Sequence, residues 1–169
     1  MSSDRRRLNE LAARVRDSVS RLYAWYVPPF KVELYELEEG ELFNLATELY
    51  KLGGLRRWLR LDRHYYATDP ESFVRIVEWD WTDTRSYTID RFDCDKFALY
   101  FKARLALDFG VNAVGVVLDY SSAHAYNLVI LKSNGKTGWL LFEPQNDMMF
   151  KYEERDQKLY AMKDYYLIL

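Results

Sequence analysis

The chain's single cysteine, Cys94, stands between two carboxylates in Phe92-Asp93-Cys94-Asp95. Asp93 is a good N-cap residue. Phe97, Ala98, Phe101, Leu105 and Phe109 then recur at helical spacing until Gly110 stops the pattern. Cys94 is therefore expected in the first helical turn, where unpaired backbone N–H groups and the positive end of the helix dipole favour a thiolate. Together with an imidazolium, such a setting lowers a thiol from its usual pKa of about 8.5 by one to several units. A lone cysteine is more often a small buried apolar residue, but such a residue is seldom flanked by aspartate on both sides.

A thiolate nucleophile needs a base and a group to hold that base. His124 follows Ser121-Ser122-Ala123 and opens a strand in which period two puts His124, Tyr126, Leu128 and Ile130 on one face, expected under the Cys94 helix. The next strand ends at Phe142-Glu143-Pro144-Gln145. A tight hairpin joins the two, so Glu143 falls nearly opposite His124, where its carboxylate can accept from the imidazole and fix the tautomer. Cys94 then reads as nucleophile, His124 as general base and Glu143 as its orienter. The backbone N–H of Cys94 is the first oxyanion donor, and the second is left among Tyr87, Trp81 and Gln145.

Phe92-Asp93-Cys94-Asp95, His124-Ala125-Tyr126-Asn127 and Phe142-Glu143-Pro144-Gln145, in that order, resemble the papain-like superfamily in its transglutaminase-like branch. More narrowly, they are similar to the cysteine-protease-like C-terminal domain of the Marasmius oreades agglutinin family. The resemblance runs from about Tyr87 to Asp147 and implies a papain-like core, a Cys94-His124-Glu143 triad and Gln145 nearby in the site. It also implies calcium, although the chemistry itself requires no cofactor. Asp93, Asp95, Asp147 and Glu143 are the hard oxygen ligands at hand, and N-capping and loop solubility explain the same carboxylates equally well.

Other elements must hold these groups. Residues 3–26 read as an amphipathic helix with Leu8, Leu11, Ala12, Val15, Val19, Leu22 and Tyr26 on one stripe and Arg5, Arg6, Arg7, Arg14 and Arg16 on the polar face. It either packs on the domain or pairs with a second copy. Lys31 to Leu37 alternates like a short strand, Glu41 to Leu52 is helical up to Gly53-Gly54, and Asp69-Pro70-Glu71 opens a short helix to Glu78. The stretch from Leu55 to Tyr87 is otherwise irregular, and its His64 has no ligand-spaced neighbours to suggest zinc. After the Cys94 helix come apolar runs at 111–118, 124–131 and 137–142, with an Asn134-Gly135 hairpin turn between the last two, and a final strand from Tyr165. Helices followed by an antiparallel meander make an α+β class, one domain over 1–169, with the catalytic-type helix and sheet in 87–169.

At 169 residues, 49% of them hydrophobic, the chain is long enough for one core. The net charge of −2 carries no global basic field for nucleic acid or an anionic membrane. With no leader-like or spanning apolar run, a cytoplasmic location is expected. The aromatic share of 17% fits a core and its rim better than a carbohydrate-binding or partner surface. The leading expectation is thus a cysteine hydrolase, a peptidase or acyl-transfer enzyme acting on amide or isopeptide bonds of a peptide or protein substrate. The alternative is a catalytically inactive papain-like binding or structural module, of the kind found in virions, able to form homo-oligomers through its N-terminal helix.

Overall fold

The computed structural model describes residues 8, 10–15, 18, 19 and 27–169. The chain divides into two compact units, Met1–Lys31 and Val32–Leu169. In the first, residues 8, 10–15, 18 and 19 are helical, and the rest of the expected 3–26 helix lies outside the described residues.

The second unit runs β1 (Tyr35–Glu36), α1 (Glu39–Leu52), β2 (Leu55–Leu59), β3 (Tyr66–Ala67), α2 (Pro70–Trp79), a 3-10 turn (Thr82–Thr84) and α3 (Cys94–Phe109). It continues with β4 (Val114–Asp119), β5 (His124–Ser133), β6 (Lys136–Glu143), β7 (Met148–Phe150), a second 3-10 turn (Tyr152–Glu154) and β8 (Tyr165–Ile168).

Local chemistry accounts for the helix ends. Glu38 and Glu41 form a reciprocal capping box, so α1 starts two residues before the expected Glu41. Asp69 accepts from the Ser72 N–H at 2.9 Å ahead of Pro70 and starts α2. α3 begins at Cys94 as expected and closes on Gly110, whose φ of 73° is open to glycine at no steric cost. The β5–β6 turn puts both Asn134 and Gly135 at positive φ, the conformation that Asn-Gly favours.

Six strands form one sheet in the order β2-β8-β4-β5-β6-β7, and β1 pairs with β3 separately. The sheet is mixed. β2 runs parallel to β8, whereas the other neighbours are antiparallel. This corrects the antiparallel meander expected from the sequence: β2 lies in the stretch whose pattern reads as irregular, and a strand whose partner is about a hundred residues away has no local hairpin signal. The short strand expected over 31–37 shrinks to Tyr35–Glu36.

Both sheet faces are covered. On one face Tyr126, Leu128, Ile130 and Leu141 join Leu42, Leu45 and Leu49 of α1 in the main core. On the other, Phe142 lies 4.3 Å from Phe101 of α3 and 5.7 Å from Phe73 of α2, centroid to centroid. There the buried Asn127 donates through Nδ2 to the carbonyls of Ala98 and Gly115 at 3.0 and 3.1 Å. The Cys94 helix therefore packs on the Asn127 face, and not on the His124 face as the alternation suggested. Period two separates the faces but does not say which helix covers which. Double coverage also explains the unbroken apolar run of β4.

Candidate functional site

Cys94 and His124 both line one cleft of about 290 Å³ together with Asp95, Tyr120 and Ala123. The structure brings the expected trio into one neighbourhood, and it treats the members differently.

His124 donates from Nε2 to Oε2 of Glu143 at 2.6 Å. The register pairs Asn127 with Phe142, so Glu143 lies diagonal to His124 rather than opposite it, a separation that a long side chain spans. Glu143 is buried and saturated. Its Oε1 accepts from the backbone N–H and Nε2 of Gln145 at 3.2 and 3.1 Å, and Oε2 also accepts from the Tyr160 hydroxyl at 3.1 Å. Burial and then the Glu143 charge push the Tyr160 phenol up, which keeps it a neutral donor. The Tyr160 and Tyr126 rings flank the imidazole at 5.5 and 5.7 Å.

The strand link beside His124 is shaped by Asp119. Its carboxylate accepts from the Ser121 N–H at 3.1 Å, from the Ser121 hydroxyl, from the Tyr126 hydroxyl at 3.2 Å and from the Met162 N–H at 2.8 Å. Burial opposes ionisation, but these bonds outweigh it and hold the Asp119 carboxyl below its ordinary value. This ties down the turn that leaves Tyr120 projecting into solvent, with Ala123 at a φ of 51°.

Cys94 is half-buried, and its thiol is pushed up from its ordinary pKa. Burial is the leading cause, and the charges of Asp93 and Asp95 act in the same direction. Backbone hydrogen bonding at Ala125 and Asp95 pulls the other way but does not prevail. The expected thiolate activation is therefore corrected: the carboxylates that made Cys94 conspicuous in the sequence oppose its ionisation.

Asp93 takes Lys96 Nζ at 2.9 Å and the Asp90 N–H at 3.1 Å, and its carboxyl is held down at about 2, first by hydrogen bonding with Asp95 and then by Lys96. Tyr87 is exposed and stacks on Phe97 at 6.4 Å, outside the lining of the cleft, and burial and then the Cys94 charge push its phenol up. Trp81 is engaged elsewhere, with the Arg85 guanidinium 4.3 Å over its ring and Tyr100 at its edge. Asp147 is raised to about 6 by burial and then by Asp83 and Asp80, not by Asp93 or Asp95. The four carboxylates named for a cation are thus not gathered: Lys96 bridges Asp93 and Asp95, Asp147 faces other acids, and Glu143 is taken up by His124, Gln145 and Tyr160. Among the described residues no group of three or more His, Cys, Asp or Glu is placed to hold a metal. The residues present do not fit a shared ion, and no chemistry is routed through one.

A family model described as the ricin-type β-trefoil lectin C-terminal domain matches residues 59–162, from the end of β2 through the Tyr160 loop. The chain belongs to that family. Solved structures similar to this lectin C-terminal domain include a "PSL1a-E64 complex", at 21% identity and a TM-score of 0.57 over 79% of this chain and 51% of that one. Another is Polyporus squamosus lectin bound to the human-type influenza-binding epitope Neu5Aca2-6Galb1-4GlcNAc, at 21% identity and a TM-score of 0.54 over 75% of this chain and 48% of that one. The lectin C-terminal domain spans about half the length of these structures, and the likeness concerns fold. No curated protein matches the chain.

The family match overturns the papain-like placement, the fold class named after it and the cysteine hydrolase it implied. Three motifs of four residues describe a helix start and two strand ends, local features that unrelated scaffolds share. The match over 59–162 instead spans a continuous stretch that includes β3 to β7 with α2 and α3. Sequence reasoning also missed Asp119, Tyr120 and Tyr160. Tyr120, an aromatic beside Ser121-Ser122 in a strand link, carried a readable signal, whereas Tyr160 sits in a loop with none. Among the described residues no helix is long and apolar enough to cross a membrane.

Proposed function

We propose that this domain is a non-catalytic binding module that takes a carbohydrate, free or carried on a glycoprotein, in the cleft between Cys94 and His124. The observation that carries this reading is Tyr120, an aromatic ring 66% exposed that lines a cleft large enough for one sugar ring. A large ring held in water beside polar groups offers an apolar face to the C–H face of a pyranose. Asp95 supplies acceptors for sugar hydroxyls, and Glu143 orients the imidazole of His124. The glycan-bound Polyporus squamosus lectin supports the ligand class. The peptide or protein partner expected from the sequence becomes, on this reading, the polypeptide part of a glycoprotein.

The test is titration of the chain with neutral monosaccharides, oligosaccharides and a glycopeptide, followed by amide NMR, with ligand masses recorded after long incubation. Saturable shifts around Tyr120 and His124 with unaltered ligand masses are expected. Tyr120→Ala weakens binding about tenfold, equivalent to about 1.4 kcal/mol, while Cys94→Ser retains it. Absence of shifts at the cleft, or a ligand cleaved during incubation, overturns the proposal.

A further inference from the structure

The charges of the chain are unevenly distributed in a way the net value of −2 hides. Residues 1–26 carry six arginines against two aspartates and one glutamate, while the remainder carries eighteen basic against twenty-three acidic residues. Such asymmetry is the sequence mark of a segment meant for an anionic surface. The same stretch is set apart by its contacts, within the compact unit Met1–Lys31. Its described residues are helical, and Leu8, Leu11, Val15 and Val19, at helical spacing, are 67%, 60%, 55% and 56% exposed. Four aliphatic side chains held in water along one stripe are an unfavourable arrangement unless something covers them.

Charge indicates what covers them. A second copy would bring another arginine-rich helix alongside, and like charges would oppose the pairing. A nucleic acid would satisfy Arg5, Arg6, Arg7, Arg14 and Arg16 but would leave the aliphatic stripe in water. An anionic bilayer surface satisfies both, because acyl chains take the apolar stripe and headgroups take the guanidinium groups. We infer that the N-terminal amphipathic helix lies in the interface of an anionic lipid bilayer, with Leu8, Leu11, Val15 and Val19 turned into it and the arginines on the headgroups. The acidic remainder of the chain is repelled by the same surface and stays in the aqueous phase. This inference is independent of the cleft and of its ligand.

The test is co-sedimentation of the full chain with vesicles of phosphatidylcholine alone and of phosphatidylcholine with phosphatidylglycerol, at low and high salt. Partitioning at least about tenfold stronger on the anionic vesicles, and weakened by salt, is expected. Leu11→Ser with Val15→Ser, which leaves the charge intact, reduces it about tenfold or more, and so does Arg5→Gln with Arg6→Gln and Arg7→Gln. Circular dichroism and the melting temperature verify that each variant keeps its folded domain. Equal partitioning on both vesicle types, no partitioning, binding unaffected by the serine pair, or a concentration-dependent dimer that the serine pair abolishes would each overturn it. So would binding to a DNA duplex that matches or exceeds binding to the anionic vesicles.

Discussion

On the Cys94 side of the cleft the polar partners lie within a few residues of one another and within reach of solvent: Asp93, Asp95 and Lys96 pair among themselves at the start of α3. On the His124 side Glu143 is sealed from water and bound by groups from three separate places in the chain, His124 at the head of β5, Gln145 after β6 and Tyr160 in the C-terminal loop. Exposed pairs contribute little, because water and salt compete with them. A buried acceptor with four donors contributes through what its loss would leave unpaired. The cleft therefore has one soft wall and one stiff wall.

The largest effect that separates the walls is expected from Glu143→Ala. It strands the imidazole, the Tyr160 hydroxyl and the Gln145 amide, and should lower stability by about 3 kcal/mol, a fall of roughly 6–12 °C in melting temperature. Asp95→Ala in the opposite wall should stay within about 0.5 kcal/mol. Equal losses in the two variants, read by thermal denaturation, would erase the contrast.

Next comes the anchor of α3 itself. Lys102 donates to the Val114 carbonyl at 2.5 Å, and burial lowers its amine to about 8. The folded value lies below the unfolded value of about 10.4, so the fold disfavours the charged form. Stability is therefore lowest below pH 8 and rises as the pH passes from about 8 to about 10, by on the order of 2 kcal/mol. Denaturant titrations across that range should show the rise in the native chain and a flatter profile in Lys102→Met.

Tyr160→Phe keeps the ring against Phe150 and Tyr126 but removes one donor to Glu143. A loss of about 1.5 kcal/mol is expected from urea unfolding. A loss as small as that of Asp95→Ala would mean that the stiff wall does not depend on its C-terminal member.

The smallest effect is on the thiol. Its alkylation by iodoacetamide should have a midpoint above the free-thiol value of about 8.5, and Asp93→Asn should lower that midpoint, because the Asp93 charge raises the Cys94 thiol. Since the folded value is the higher one, this group favours the fold less as the pH rises past the unfolded value. A midpoint well below that of a free thiol would return the activated cysteine to consideration.

What could be read in the sequence was local. The end of α3 at Gly110, the Asp69-Pro70 helix start and the Asn134-Gly135 turn each follow from one or two residues whose backbone preferences leave little choice. α3 starts at Cys94 as its periodicity indicates, but the Asp93 side chain does not cap it and binds the Asp90 N–H and Lys96 instead. The pairing of His124 with Glu143 was legible because a tight hairpin fixes the register of adjacent strands. The parallel β2–β8 pair, the hold of Tyr160 on Glu143 and the hold of Met162 on Asp119 were not legible, because each joins segments far apart in the chain.

The sequence by itself determined where α2 and α3 begin and end, where the chain turns between β5 and β6, and that one sulfur, one imidazole and one carboxylate would come near one another. Only the tertiary structure decided their character. Burial and charge at Cys94 depend on what is folded against it, and the saturation of Glu143 depends on a loop reached after the last hairpin. Periodicity and capping act over a few residues, whereas desolvation and hydrogen-bond closure are properties of the assembled surroundings, which no stretch of the chain contains alone.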